Sequence, residues 1–380
     1  MVGVPETLRH LIEQQFKLLS PAAQAVVAAA SVAGVEFAAA EVAAGLLAEQ
    51  ETIEAACERL ARTGHWLRTG GAAAWPDGTI SGQYSFLHAV HHEVVYAQVT
   101  EVRRIQLHRR MAARKEAAYG ERTREIAAEL AVHLEQGREY AKVVRYLQQA
   151  GQRAVERSAN AEAITYLSRG LAWLKTLPDS SQRAQHELTL QLAMGVPLMA
   201  TKGYTDSEVG TTYARALELG RQFADPSQLF RALDGFLAFC LVRAEHETAS
   251  QLAQELLNLA QSVQDPRLLV EAHRMLGEIL FYQGDFTGAR SHLEHSSMVY
   301  DPQQHHLLLF LYGGPDIEVA NCAILALTLW HLGYPDQAQE RSHAALCLAQ
   351  KLADPFSEAF ALDWAVTLDQ HCRKEWGSLE

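Results

Sequence analysis

Cysteine is scarce: five among 380 residues, Cys57, Cys240, Cys322, Cys347 and Cys372, with no C-x-x-C pair. That spacing excludes a disulfide-stapled scaffold, and an odd number of isolated thiols suits a reducing compartment. No stretch approaches eighteen uncharged apolar residues, and Met1 to Glu6 shows no basic leader followed by an apolar run. A membrane span and a secretory signal are therefore not expected, and a cytoplasmic location is. Lysine is also sparse, seven from Lys17 to Lys374, and none follows a glycine-rich turn. The G-x-x-x-x-G-K-[ST] cradle for nucleotide phosphates is thus missing, and no chemistry is expected of this chain alone.

Charge is uneven. The formal net charge is −12, yet residues 1 to 120 are nearly balanced, with 11 basic and 12 acidic side chains, so the excess lies beyond them. An acidic body repels phosphate backbones at long range, which argues against nucleic acid as the main partner.

From about Ile126 onward the sequence reads as helix throughout, with apolar residues three and four apart between short Gly, Asp and Pro interruptions. Two markers recur. Asp-Pro pairs at Asp225-Pro226 (after Ala224), Asp265-Pro266, Asp301-Pro302 and Asp354-Pro355 each close one segment and open the next. Midway between them, turns end in a small residue: Ala163, Ala249, Ala289 and Ala338, with Val209 in the same slot. Pro226 to Pro266 and Ala249 to Ala289 are both 40 residues, so independent markers give one period. An insert around Tyr312 stretches the last interval, Ala289 to Ala338, to 49. Helical hairpins of this length cannot bury their apolar stripes alone and must stack, which places function on a groove.

The front differs. Residues 21–30, 38–47 and 51–63 read as short helices, followed by strand candidates Trp66 to Arg68 and Tyr84 to Phe86 joined by a loop from Gly70 to Gly82. Three helices plus a β-hairpin make a winged-helix pattern. Helices over about 89–98 and 101–118 lead onward. The expected fold is mainly α: a winged-helix domain with connecting helices over 1–120, then about five helical hairpins over 121–380, the last without a capping helix.

His92-Glu93-Val94-Val95-Tyr96 imitates an H-E-x-x-H zinc helix, but Tyr96 replaces the second ligand. His88, His91 and His92 share a helical face without a converging carboxylate or thiol, and they read as surface or packing groups, as do His292, His295, His305 and His306. No metal site is expected. Arg103, Arg104, Arg109, Arg110, Arg114 and Lys115 form a basic run that would suit a DNA-binding wing; the candidate recognition helix, however, carries Glu51, Glu54 and Glu58 beside Arg59 and Arg62, unfavourable against phosphates.

Gly284-Asp285-Phe286 with Ala289, and Ala163 with Tyr166, Leu167 and Gly170, resemble the second helix of tetratricopeptide repeats, although 40 residues exceed that family's usual period. The segment from Gln83 to Tyr96 resembles the F-x-H-x-[LV]-x-x-E-x-x-Y signature in the winged-helix part of bacterial STAND-class signalling ATPases, through Phe86, His88, Val90, Glu93 and Tyr96, with Tyr84 just before it. The run from Val4 to Glu13 is similar to that family's junction after its NTPase domain. Leu198 to Tyr204 and Tyr300 to His305 are similar to repeats of its predicted-ATPase and adenylate/guanylate-cyclase members. The resemblance implies that His88 reaches the phosphates of ADP on an NTPase domain, absent here, and that the repeats bind a protein or small-molecule signal. ADP or ATP would enter only through that domain. Ala89 stands where related motifs carry Asp, and the chain reads as a segment of a longer protein or a truncated frame. A plain adaptor is the rival reading, a DNA-binding regulator the next.

Overall fold

The computed structural model describes residues 6–223, 225–302 and 313–377, with side chains described as far as Cys372. Val4, Pro5, Ala224, Gln303, Gln304, His305, His306 and Tyr312, which the sequence singles out, lie outside the described residues. Packing divides the chain into two compact units: Met1–Arg153 with Ser168–Leu177, and Ala154–Leu167 with Pro178–Glu380. The division runs through two helices, α8 (Tyr140–Glu156) and α9 (Asn160–Leu174).

The first unit opens with α1 (Glu6–Lys17) and α2 (Pro21–Ala33). Ser20 starts α2 by accepting the Ala23 amide proton at 3.3 Å, and Pro21 supplies a pre-set first turn. Then come β1 (Glu36–Ala38), α3 (Ala39–Leu46), α4 (Gln50–Arg62), β2 (Leu67–Ala74) and β3 (Ile80–Phe86). The three strands form one antiparallel sheet in the order β1-β3-β2. Strand β1 is not evident in the sequence, because Phe37 leads straight into Ala38, Ala39 and Ala40; it exists by pairing with β3, Phe37 opposite Tyr84. The β-hairpin is also longer than expected, and its register slips between Thr69 and Ala72, where Gly70 and Gly71 accommodate a bulge. The core gathers Val27, Phe37, Ile53, Trp66, Phe86 and Met111, all nearly or fully buried. Helices α5 (Ala89–Gln98), α6 (Glu101–Tyr119) and α7 (Ala127–Gln136) complete this unit's ordered elements before α8.

The second unit is built of antiparallel helical hairpins: α10 (Ser181–Lys202) with α11 (Ser207–Phe223), α12 (Pro226–Val242) with α13 (His246–Val263), α14 (Pro266–Gln283) with α15 (Phe286–Val299), and α16 (Ile317–His331) with α17 (Pro335–Leu352). The recurring markers do physical work at the ends. Asp225 and Asp265 accept the amide protons of Gln228 and Arg267, capping α12 and α14 directly before their prolines. Gly284 takes the left-handed conformation, φ +82°, that lets α14 turn into α15. Val209, Ala249, Ala289 and Ala338 are fully buried, because a larger side chain there would hold paired helices apart.

Helix α18 (Pro355–Gly377) packs on α16 and α17, burying Ala361 and Leu368 against them. Among the described residues, no helix is long and apolar enough to cross a membrane.

Candidate functional site

Strand β3 delivers the singled-out segment into α5. Tyr84 and Phe86 point inward and are 5% and 4% exposed, so these two motif positions serve the core. His88 is exposed at the start of α5, makes no capping bond with its side chain, and lies over His91, ring centroids 5.6 Å apart. Val90 is half-buried against the core and Glu93 is exposed. His91 packs on Trp66 and His92 on Phe86, and burial lowers both imidazole pKa values. The three histidines are therefore not one ligand set: two pack on aromatic rings and one faces outward.

Tyr96 leads to a polar core that the sequence did not reveal. Its hydroxyl lies 3.4 Å from His108 Nε2, and His108 Nδ1 lies 2.9 Å from His133 Nδ1. Beyond His133 sits a buried ammonium: Lys115 Nζ donates to Glu41 at 2.6 Å and also to Glu129. Burial pushes the Glu41 carboxyl up to about 7, opposed by the Lys115 ammonium and reinforced by the neighbouring Glu129, and Glu41 Oε2 has no partner among the described residues. The carboxylates hold the Lys115 ammonium above its ordinary pKa. Glu41, Glu129 and His133 bring ligand atoms within 4.8 Å of one another, a spacing a metal ion could use, but the Lys115 ammonium already bridges the two carboxylates.

Most of the basic run bonds partners within the first unit, although Arg103 and Arg109 are exposed. Arg114 pairs with Asp77 at 2.9 Å, Arg110 donates to the Gly45 carbonyl, Arg109 donates to that of Gly137, and Arg104 lies over the Tyr96 ring. His292 and His295 are drawn together with His273, which sequence reasoning passed over: His273 and His292 stand 2.9 Å apart, Nδ1 to Nδ1. Cys57, Cys240, Cys322 and Cys347 are free thiols.

The second unit holds a cavity of about 190 Å³, formed on the first helices of successive hairpins and on α18. Its apolar walls come from Leu241 and Val242 at the end of α12, Ile317 of α16, and Phe356 and Phe360 of α18. Its floor is ionic. Arg274 on α14 donates from Nε to both carboxylate oxygens of Glu271 (3.1 and 2.9 Å), and from Nη1 to Glu278 at 2.9 Å. Asp234 of α12 reaches the same floor, 4% exposed, with Oδ1 unpartnered among the described residues. Burial raises its carboxyl pKa well above the usual range, reinforced by Glu271 and opposed by Arg274. Tyr204 closes one side, its hydroxyl donating to the Gly313 carbonyl. The sequence did carry a signal: Asp234 is the lone carboxylate in α12 and stands 40 residues, one repeat, before Arg274.

No protein-family model matches the chain. An uncharacterized protein of Rhizobium meliloti (strain 1021) is 23% identical over 282 residues, which are 74% of this chain and 27% of that relative. The chain thus spans about a quarter of the relative's length. Among solved structures, the apo form of RapI is similar with TM-score 0.47 and 15% identity, over 62% of this chain and 83% of that one. A STAND protein with a tetratricopeptide repeat sensor from Pyrococcus horikoshii gives 0.45 and 11%, over 97% and 62%. NprR in complex with its cognate peptide NprX gives 0.43 and 14%, over 77% and 80%. The class is set by the chain's own geometry: a mainly α protein with helical hairpins repeating about every forty residues and a unit carrying a three-stranded sheet.

Proposed function

We propose that the chain is a non-catalytic sensor and scaffold segment of a STAND-type signalling ATPase. Its hairpin unit binds a peptide, protein or small-molecule signal, and its first unit is a winged helix that relays occupancy to an NTPase domain. The observation that carries this reading is the cavity on the first helices of successive hairpins, with an ionic floor under apolar walls, the combination that fixes and orients a ligand. The order helix, strand, two helices, β-hairpin in the first unit supports the winged-helix assignment. Exposed His88, at the point where β3 hands over to α5, supports a contact outside the chain, where an imidazole can donate to a phosphate oxygen. ADP or ATP belongs to the NTPase domain, and a cytoplasmic location follows from the role.

The test is ADP affinity by calorimetry in this chain joined to its NTPase domain, with and without His88→Ala. Roughly tenfold weaker ADP binding in the variant, about 1.4 kcal/mol, supports the relay. Unchanged affinity makes His88 structural and reduces the chain to an adaptor.

A further inference from the structure

Besides the Tyr204 phenol, three carboxylic acids and one guanidinium line the cavity of the second unit: Asp234, Glu271, Glu278 and Arg274. The guanidinium is engaged by Glu271 and Glu278, within one helix, at i−3 and i+4. Asp234 lies outside that pairing with the guanidinium and meets Glu271 through a side-chain hydrogen bond. It is more than nine-tenths buried, and Oδ1 has no donor among the described residues. A buried acceptor without a donor is costly, and native proteins rarely leave one unmet. Tyr204 does not meet it, because its hydroxyl proton goes to the Gly313 carbonyl. The donor is thus expected from a ligand, and the excess of acids over the single cation selects a positively charged one.

The remaining walls describe the rest of that ligand. Phe356 and Phe360 present aromatic surface, and Leu241, Val242 and Ile317 aliphatic surface. A cavity of about 190 Å³ is far larger than a water site and smaller than the pocket of a drug-sized molecule, so it takes one short group.

We propose that this cavity binds a primary ammonium carried on a short apolar or aromatic body, with the Asp234 carboxylate as its counter-ion. The inference rests on the sensor reading and names the chemical class of its ligand. Two sources offer this chemistry, a free small amine or the amino end of a peptide. The groups facing Asp234 are Glu271, Arg274 and Glu278 from α14, Tyr204 from the turn after α10 and Tyr213 from α11. Burial, reinforced by Glu271, raises the Asp234 carboxyl pKa in the empty cavity; an arriving ammonium lowers it again, so binding favours release of a proton to the buffer.

The experiment is calorimetry on the full chain with phenethylamine and its uncharged isostere 2-phenylethanol, and with the amide of phenylalanyl-glycyl-glycine and its N-acetylated form. The expected result is at least tenfold tighter binding of phenethylamine than of the alcohol, an enthalpy that varies with the buffer's ionisation enthalpy, and at least a tenfold loss in Asp234→Asn. A tripeptide amide that binds and loses affinity on acetylation assigns the ammonium to a peptide end; binding of phenethylamine alone assigns it to a free amine. Equal affinity for amine and alcohol in the unmodified chain, or an unchanged amine affinity in Asp234→Asn, overturns the proposal. Such a failure beside an intact His88→Ala effect removes this ligand and leaves the sensor reading. Selective amine binding that never alters ADP affinity in the longer protein removes the relay and leaves the amine site.

Discussion

Asp234 and Arg274 occupy the same slot of successive repeats, forty residues apart, and line one cavity, yet the guanidinium bonds Glu271 and Glu278 while Oδ1 of Asp234 has no partner among the described residues. The two positions therefore differ in what substitution does. Arg274→Met strands two buried carboxylates and should destabilise the second unit by about 3–5 kcal/mol in urea unfolding. Asp234→Asn removes an acid whose neutral form burial favours and should stay within about 1 kcal/mol of the parent at pH 6. The raised Asp234 pKa fixes the sign with pH: its stabilisation is complete below its ordinary value of 3.8 and is lost as pH rises toward the folded value. Asp234→Asn should remove that part of the alkaline decline, and an unfolding series from pH 4 to 9 shows whether it does.

His108 and His133 set the opposite sign in the first unit. Two Nδ1 atoms at 2.9 Å share one proton, so one ring donates, the other accepts, and both are neutral. Burial lowers His108 to about 3 and His133 to about 4, the latter also feeling the Lys115 charge. An unfolded histidine titrates near 6.5, so the stabilisation is complete above that value and is lost as pH falls toward 4. Ring-proton spectra should show neither imidazole titrating between pH 7 and 5. The double substitution to Leu, which removes donor and acceptor together, should flatten the acid limb, whereas His133→Ala alone should cost about 2–4 kcal/mol.

What the sequence made legible was local and periodic. The Asp-Pro caps, the small residue at each turn and their forty-residue agreement mark the hairpins of the second unit because a cap and a close helix contact each demand a residue type at one position. Strand β1 escaped because three residues become strand only through β3, and Phe37-Ala38-Ala39 carries no alternation of its own. The candidate sites escaped for the same reason. Lys115 meets Glu41 across 74 residues, and no spacing rule joins them. The motif around His88 was readable by resemblance, while the fates of His91 and His92 depend on Trp66 and Phe86 beneath them. The cavity floor was half legible, since Asp234 and Arg274 share a repeat slot, but its apolar walls come from α16 and α18, far along the chain.

Tyr213 shows how tightly the hairpins of the second unit pack. It is 3% exposed on α11, and its ring lies over Gly195 of α10 and Gly235 of α12. A Cβ at either glycine would run into that ring, and a buried aromatic ring cannot swing aside without disturbing its neighbours. Gly195→Ala and Gly235→Ala should each destabilise this unit by about 1–3 kcal/mol, although alanine favours helix by up to about 1 kcal/mol. Pairing either with Tyr213→Leu should recover part of the loss, a coupling that a double-mutant cycle measures.

Glu41 opposes the histidines, and its number decides the balance. Its carboxyl is pushed up to about 7 from an ordinary 4.5, so between those values the folded unit binds one proton more than the unfolded chain and stability falls as pH rises. Over pH 5 to 6 the unfolded chain in turn binds two more through His108 and His133, whose folded values lie below. Two groups outweigh one, and these three residues leave a net acid-side loss of about 1.4 kcal/mol per pH unit. Glu41→Gln cancels the opposing term while Lys115 keeps Glu129, so the variant should lose stability on acidification about 1.4 kcal/mol per pH unit more steeply than the parent. Amide hydrogen exchange of α3 and α6 at pH 5 and 6 reads this difference within the first unit. An equal slope in parent and variant would mean that Lys115 keeps Glu41 ionised in the fold, with the ammonium outweighing the burial.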